Sequence, residues 1–256
     1  MNRTICFVPV RKGSKEIPGK NLKKLAGKPL VCWILDAILK SHISADIWVA
    51  TDCDNMEALI RQQYHKTVQV YRRSKESSQD TSPTIEVVLE FINYIKPKPD
   101  DRFILLQATS PFTSSEEIQT LYKEMEKKEA DSFIACCRIK KFRWSENGIP
   151  LDYHPRNKPR RQEYTGFLVE SGAFYASTIK DILANKELVS GKIKVIELNE
   201  TGLIDIDNEQ DWLLQKHLSN KKRMYEPNRR IYGISGKRTS FQKRTSNRSF
   251  RNHALP

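Results

Sequence analysis

The chain has 256 residues, which is long enough to bury a sizeable core as one large domain with an appendage. Its formal net charge of +13 is concentrated at one end, because residues 219–256 carry 11 of the 44 basic residues and one of the 31 acidic residues. The 33 basic and 30 acidic residues of 1–218 are nearly balanced. The charge therefore gives no reason to expect nucleic-acid binding by the globular part.

A basic loop follows the first predicted strand, which is a short β-branched run over residues 4–10. The loop places Arg11, Lys15 and Lys20 around Gly13 and Gly19. Glycines permit positive φ and close approach of a ligand, so backbone N–H groups can converge on anionic oxygens while the side chains supply full charges. The Walker pattern and the three-glycine dinucleotide fingerprint are both absent. The loop predicts a polyphosphate site of another kind, and a solvated basic turn is the alternative.

Further along the chain, short apolar runs alternate with segments of helical period, which is typical of a parallel sheet covered on both faces. Buried strands are predicted at 4–10, 47–50, 103–107, 132–138 and 192–198. Helices are predicted at 30–38, 83–95, 116–125 and 177–185 and after Asn208. Ser82 is the expected N-cap of the second helix, and Thr113 with Glu116 is the expected capping box of the third. These elements predict one α/β domain over 1–218.

Polar residues follow several of these strands, where ligands bind in open α/β sheets. Arg72 and Arg73 lead into 79–84, which places hydroxyls at a helix N-terminus; anion or ribose contacts are natural there, although capping alone would explain Ser82. Gln107 ends an otherwise apolar strand and needs a partner. A ligand and a backbone group of a neighbouring loop are equally good candidates for that partner.

Two carboxylates, Asp205 and Asp207, stand at i and i+2 of a segment predicted to be extended, and so project from one face. Such a pair suits a hard divalent cation such as Mg²⁺, which also binds substrate phosphates. Alone the spacing is weak evidence, because Asp207 could simply precede a helix capped by Asn208. Together with a basic loop, a carboxylate-held metal is what phosphoryl or nucleotidyl transfer requires.

The remaining segments lack regular periodicity. Residues 140–165 are rich in Lys, Arg, Pro and Asn and predict an insertion or a long functional loop. Residues 219–256 contain few apolar side chains, so we expect a largely disordered, dispensable tail, with an arm that contacts nucleic acid as the alternative.

Five cysteines form neither a metal-binding spacing nor an even disulfide set, which favours free thiols in a reducing compartment. There is no signal-like start, and the longest apolar stretch is too short to span a bilayer. We therefore expect a cytoplasmic protein without a membrane anchor.

Five motifs in this order resemble those of the acylneuraminate cytidylyltransferases, the CMP-sialic acid synthetases. They are Arg11-x-Gly-Ser-Lys-x-Ile-Pro-x-Lys-Asn21, Asp80-Thr81, Leu106-Gln-x-Thr-Ser-Pro111, Gly172-Ala-Phe-Tyr175 and Asp205-Ile-Asp207. The resemblance spans residues 4 to about 216 and implies a Rossmann-like nucleotidyltransferase fold with a mostly parallel sheet. It also implies transfer of CMP from CTP to the anomeric hydroxyl of a nine-carbon keto sugar acid, with release of pyrophosphate.

The resemblance also implies roles for individual residues. The residues implied to bind the nucleotide are Arg11, Lys15, Asn21, Arg73 and Thr84. Those implied to act in catalysis are Lys20, Gln107 and Arg11. Those implied to bind the sugar are Lys20, Gln107, Arg161, Gln162, Phe174 and Tyr175, and those implied to bind Mg²⁺ are Asp205 and Asp207. A homodimer is implied as well, with 140–165 as the dimerisation extension and Arg161 and Gln162 reaching the sugar carboxylate.

The chain departs from the family pattern at Ala108, at Phe112-Thr113 and at Ser171, which puts the identity of the sugar in doubt. One alternative is a nucleotidyltransferase that acts on another sugar acid or on a sugar phosphate. An alternative of another class is a nucleic-acid-binding module that acts through the tail.

Overall fold

The computed structural model describes residues 2–225, with side chains described through residue 218. The strands are β1 (Thr4–Pro9), β2 (Lys24–Leu25), β3 (Lys28–Pro29), β4 (Asp46–Thr51), β5 (Val68–Arg72), β6 (Arg102–Leu106), β7 (Ser132–Ile139), β8 (Phe167–Thr178) and β9 (Ile193–Leu198). The α-helices are α1 (Leu30–Lys40), α2 (Asp54–Tyr64), α3 (Thr84–Ile95), α4 (Ser115–Glu126), α5 (Ile179–Asn185) and α6 (Glu209–Tyr225), and a short 3₁₀ helix covers Glu200–Leu203.

A seven-stranded sheet in the order β5-β4-β1-β6-β8-β7-β9 forms the centre of the molecule. Strand β1 pairs in parallel with β4 and β6, and β4 pairs in parallel with β5. Only β8 runs against its neighbours, β6 and β7, within the described sheet. The carboxyl ends of β1, β4, β5 and β6 therefore lie at one edge, where ligands bind in such sheets. The predicted mostly parallel α/β fold is confirmed.

Alternation along β1 explains why the sheet is covered on both faces. Cys6 and Val8 belong to an apolar cluster with α1, α2 and α4, whereas Ile5 and Phe7 belong to another cluster with α3 and α5. Successive side chains of a strand point to opposite faces, so a strand buried on both sides reads as a continuous apolar run.

Two sequence-based helix caps are wrong. The N-cap of α3 is Pro83 and makes no side-chain bond, because the Ser82 hydroxyl donates to the carbonyl of Glu76 at 2.5 Å. The capping box of α4 is formed by Ser114 and Glu117, one residue later than predicted from Thr113 and Glu116. The Thr113 hydroxyl donates instead to the Ser110 carbonyl. The cap of α6 is as predicted, since Asn208 Oδ1 accepts from the N–H groups of two following residues.

The segment between β7 and β8 has no regular strand or helix, in agreement with the predicted loop over 140–165. It is held by its own side chains: the Phe142 ring lies 5.0 Å from Tyr153 and 4.8 Å from Tyr164, and Arg143 pairs with Asp152 at 2.7 Å. The loop is thus a locally ordered unit.

The predicted tail boundary at 218 falls inside α6, which continues to Tyr225. Residues 226–256, which form most of the predicted tail, lie outside the described residues. All five cysteines are buried and free. Over residues 2–225, no helix combines the length and the apolar composition of a membrane span.

Phe91 on α3 is the centre of the second apolar cluster, because its ring lies 4.6 Å from Phe7, 5.3 Å from Trp48 and 5.4 Å from Tyr71. Phe91→Ala should lower the free energy of unfolding by about 4 kcal/mol, since the cavity forms among rigid rings. Tyr94→Ala on the same helix is the control, because Tyr94 is 64% exposed, and should cost less than about 1 kcal/mol. Urea unfolding measures both, and equal losses would contradict this view of the core.

Candidate functional site

A cavity of about 580 Å³ opens at the carboxyl ends of β1, β5 and β6. Its lining includes many of the residues predicted from the sequence, namely Arg11, Lys20, Asn21, Arg73, Thr84, Gln107, Tyr175, Asp205 and Asp207. The first turn of α3 also lines the cavity, so the positive end of a helix dipole faces the space. Residues up to 196 positions apart in the chain, such as Arg11 and Asp207, thus share one concave site.

One side of the cavity is cationic. Arg11 donates to the Gln79 carbonyl at 3.0 Å and forms an ion pair with Asp80, also at 3.0 Å. Lys15 reaches the other carboxylate oxygen of Asp80 at 3.3 Å. Asp80 therefore holds two cations near the cavity, and a polyphosphate could replace this single carboxylate as their partner. Lys15 is 74% exposed and stands outside the cavity lining.

Three buried polar atoms of the lining have no hydrogen-bond partner among the described residues: Nε of Arg73, Oδ1 of Asn21 and Oδ1 of Asp205. Arg73 does donate through another nitrogen to the Ser77 carbonyl, and burial lowers the pKa of its guanidinium. Buried polar groups in folded proteins nearly always have partners. A donor and two acceptors without one, all beside the cavity, indicate that a ligand supplies the missing bonds.

The other side of the cavity carries the carboxylate pair. Asp205 accepts a hydrogen bond from Thr109, but its Oδ1 atom is buried without a partner among the described residues. Burial raises the pKa of Asp205, and the nearby charge of Asp207 raises it further. The Lys20 ammonium donates to the Ile206 carbonyl and lies 3.4 Å from Oδ1 of Asp207. One ammonium thus sits at the segment that carries both carboxylates.

The carboxylate pair has the oxygen ligands that suit a hard cation. No cluster of three or more His, Cys, Asp or Glu side chains with metal-binding geometry occurs in residues 2–225. Mg²⁺, however, is commonly held by one or two carboxylates together with substrate phosphates and waters. Asp207 is 72% exposed and so open to such a cation, and the buried Oδ1 atom of Asp205 has no partner among the described residues that would compete with it.

Local packing explains how Lys20 reaches the carboxylate segment. Ile17 and Leu25, on either side of it, are buried against Ile206 and Trp212 in a small apolar cluster. The chain turns at Gly19, whose φ of 65° is favourable only for glycine. Gly13 does not adopt a positive φ, so the backbone freedom that glycine permits is used at Gly19 and not at Gly13.

Gln107 and Tyr175 also line the cavity. The Gln107 N–H donates to the carbonyl of Ala173 at 2.9 Å, which fixes the backbone at the end of β6. The Tyr175 hydroxyl donates to Glu170, and burial with this carboxylate raises its pKa, so the phenol stays protonated. Beyond Tyr175 and Thr84, which line both spaces, lies a second, more open depression of about 420 Å³.

Three predicted sugar-binding residues do not lie in this cavity. Phe174 is fully buried in the first apolar cluster, because it points to the face of β8 opposite Tyr175, and the prediction that it contacts the sugar is therefore wrong. Arg161 and Gln162 are exposed in the loop between β7 and β8 and do not line the cavity.

The sequence reasoning did not single out Asp80, Thr109 and Gly172 as site residues, although each lies within a quoted motif. No local signal in the sequence links Asp80 to the basic loop, because its ion-pair partners Arg11 and Lys15 are 69 and 65 positions away. Gly172 adopts a φ of 73°, and a Cβ atom there would lie 3.8 Å from Oδ2 of Asp205. Its backbone therefore approaches the carboxylate closely.

A model of a cytidylyltransferase family matches residues 5–226. The chain belongs to the cytidylyltransferase family. Among curated relatives, it is 36% identical to an N-acylneuraminate cytidylyltransferase of Oncorhynchus mykiss, a match that covers 80% of this chain and 48% of the relative. It is 32% identical to a CMP-N,N'-diacetyllegionaminic acid synthase of Legionella pneumophila, over 84% of this chain and 96% of the relative.

The chain spans about half the length of the first fish relatives it matches, but nearly the whole of the bacterial one. Among solved structures, a CMP:2-keto-3-deoxy-manno-octonic acid synthetase complexed with CTP has a TM-score of 0.63 and 21% identity. That alignment covers 86% of this chain and all of the synthetase. At this identity the likeness shows the cytidylyltransferase fold alone.

Asp205→Asn should stabilise the metal-free protein, because the native carboxylate is buried with an oxygen that has no partner. A raised folded-state pKa means that the folded protein holds this proton more tightly than the unfolded chain, so ionisation of Asp205 reduces stability as pH rises. We expect a gain of about 1 kcal/mol in the free energy of unfolding at pH 7.5 with EDTA present.

The gain should shrink as the pH is lowered to 4.5, where the native side chain becomes increasingly protonated. Asp207→Asn is the control and should change stability little, since that side chain is 72% exposed. Urea denaturation of both variants at the two pH values measures the difference. A loss of stability in Asp205→Asn at pH 7.5 would contradict the assignment of a buried, strained carboxylate.

Proposed function

We propose that this cytidylyltransferase transfers CMP from CTP to the anomeric hydroxyl of a nonulosonic acid and releases pyrophosphate. The proposal rests on one observation: the cations Arg11 and Arg73 and the carboxylate pair of Asp205 and Asp207 line a single cavity. Nucleotidyl transfer needs stabilised phosphate charge and an oriented acceptor in one dry, concave site. The names of three curated relatives, an N-acylneuraminate cytidylyltransferase, a CMP-N,N'-diacetyllegionaminic acid synthase and a pseudaminic acid cytidylyltransferase, support the same class of acceptor.

The nucleotide is proposed to occupy the side of the cavity formed by the basic loop and α3. Arg11 and Lys15 would leave their ion pairs with Asp80 and bind the triphosphate instead, because the triphosphate presents several anionic oxygens in place of one carboxylate. Arg73 Nε and Asn21 Oδ1 offer an unused donor and acceptor for the nucleoside. Thr84, at the first turn of α3, adds a hydroxyl beside them.

The acceptor is proposed to lie toward Gln107 and Tyr175. The second depression continues the cavity beyond Tyr175, so a long polyhydroxylated acid has room to extend there while its anomeric carbon stays near Lys20. The protonated Tyr175 hydroxyl donates to Glu170, so the ring is the part of Tyr175 that is proposed to contact the sugar. Gln107 can orient the attacking hydroxyl, because amides both donate and accept.

In the proposed reaction the 2-hydroxyl oxygen forms a bond to the α-phosphorus, and the bond from the α-phosphorus to the bridging oxygen of the β-phosphate breaks. The hydroxyl proton passes to solvent, and pyrophosphate carries away the electron pair of the broken bond. Arg11 and Lys20 stabilise the charge that develops on the phosphate oxygens. No covalent enzyme intermediate is needed.

Asp205 and Asp207 are proposed to hold Mg²⁺, for which their free carboxylate oxygens are suited. When bound, the ion would neutralise charge on the substrate phosphates.

A homodimer is proposed in which the loop 140–165 reaches the partner subunit. Arg161 and Gln162 are exposed and lie outside the cavity of their own subunit, so a role at a sugar carboxylate would have to be played across such an interface. The buried free thiols agree with a reducing compartment, and we propose a cytoplasmic location.

The purified chain should release pyrophosphate from CTP and Mg²⁺ when a nonulosonic acid is added. A panel of CTP, UTP, ATP and GTP against N-acetylneuraminic, legionaminic and pseudaminic acids, an eight-carbon keto acid and a sugar phosphate would identify both substrates. We expect CTP with one nine-carbon acid to give the highest kcat/KM. Release only with the eight-carbon acid or the sugar phosphate would replace the proposed acceptor, and no release with any pair would refute the proposal.

Asp207→Asn should lower kcat by about 100-fold, because the change removes a charged ligand of the proposed ion. The fold should be unaffected, since Asp207 is exposed. Glu209→Gln is the control, as it removes another exposed carboxylate two residues away, which pairs with Lys23. Pyrophosphate release at saturating substrate measures both rates. A near-normal rate in Asp207→Asn would remove the metal role of this residue.

A further inference from the structure

The Lys20 ammonium has an unusual position for a substrate-binding cation. Its side chain is only 11% exposed, it donates to the carbonyl of Ile206 between the two aspartates, and it lies 3.4 Å from Oδ1 of Asp207. The other cations of the loop that have partners are paired elsewhere: Arg11 and Lys15 with Asp80, and Lys23 with Glu209 at 2.9 Å. Lys20 is therefore the one cation of the loop that the described structure places at the carboxylate pair.

This contact is built in by the fold and does not depend on a flexible surface side chain. Ile17 and Leu25, which flank Lys20 in the chain, are buried against Ile206 and Trp212. The packing brings the loop onto the carboxylate segment, and the carbonyl of Ile206 gives the ammonium a second anchor. The charge stays within a few ångströms of the oxygens that would bind a cation.

We propose that Lys20 is a counter-ion that occupies the carboxylate pair until the nucleotide arrives, and so makes metal binding depend on CTP. An ammonium a few ångströms from a divalent cation repels it, and this lowers the affinity of the pair for the metal alone. The triphosphate draws Lys20 toward its own oxygens and frees Asp207. Metal and nucleotide then bind together, each raising the affinity of the other by the same factor.

This inference rests on the proposed metal site and nucleotide. It adds that the protein binds metal weakly before CTP is present, which protects the carboxylate pair from unproductive occupation. It also gives the buried carboxylate of Asp205 a compensating positive charge in the absence of metal, since Lys20 lowers the pKa that burial raises.

The test is a titration of the full-length protein with Mn²⁺ alone, in which electron paramagnetic resonance measures free Mn²⁺. Lys20→Met, which retains length and removes the charge, should bind Mn²⁺ about tenfold more tightly than the native protein. Adding CTP without an acceptor should strengthen Mn²⁺ binding in the native protein by a larger factor than in Lys20→Met, after correction for Mn²⁺ bound by free CTP.

Lys23→Met is the matched control, because it removes a cation of the same loop that is paired with Glu209. It should leave Mn²⁺ affinity within twofold of native. Adding Asp207→Asn to Lys20→Met should cancel most of the gain, because it removes the carboxylate that Lys20 neutralises in the native protein. Unchanged or weaker Mn²⁺ binding in Lys20→Met, or an equal gain in Lys23→Met, would overturn the proposal.

The experiment separates this inference from the proposed function. Pyrophosphate release by the native protein tests the reaction, whereas the Mn²⁺ titration needs no turnover. An active native enzyme whose Lys20→Met variant gains no affinity for Mn²⁺ would retain the function and lose the counter-ion role. Absence of Mn²⁺ binding in both proteins, with or without CTP, would also overturn the counter-ion role.

Discussion

The parallel pairing of β1 with β4 and β6 is the constraint on which the site depends. It brings the carboxyl ends of neighbouring strands to one edge, so Arg11 after β1 and Gln107 after β6 face the same space. Arg73 joins them because β5 is aligned with β4. The two apolar clusters that cover the sheet hold this alignment, since each takes alternate residues of the same strands. The packing of the core therefore also sets the positions of the site residues.

Buried polar atoms without hydrogen-bond partners, which are energetically unfavourable, occur at the same edge of the sheet. The described part of the chain contains few buried polar atoms without partners, yet three of them, on Asn21, Arg73 and Asp205, border the cavity. Each costs free energy in the empty protein and can be satisfied by a ligand. An anionic nucleotide has the donors and acceptors to supply these hydrogen bonds. Its binding can therefore offset the free energy that the unpartnered atoms cost in the folded protein. Such conflicts are expected at functional sites.

The sequence predicted the elements whose period is strong and failed where the signal was ambiguous. Helix α2 and strand β5 were not predicted, because α2 is largely polar, with few buried residues such as Met56 and Ile60, and β5 alternates with exposed side chains. Phe174 and Tyr175 are adjacent aromatics, and nothing in the sequence shows which one faces the core. The cavity residues that follow Pro9 and Leu106 could be predicted from the sequence, because they come directly after apolar strands. Asp80 required knowledge of its long-range ion pairs.

The position of Lys20 depends on residues that have no chemical role in transfer. Trp212 on α6 packs against Ile206, and Ile206 carries the carbonyl that Lys20 contacts. The last described helix therefore fixes the distance between the basic loop and the carboxylate pair. A displacement of α6 would separate the two charges without touching either, so the C-terminal helix belongs to the machinery of the site even though it contributes no ligand to it.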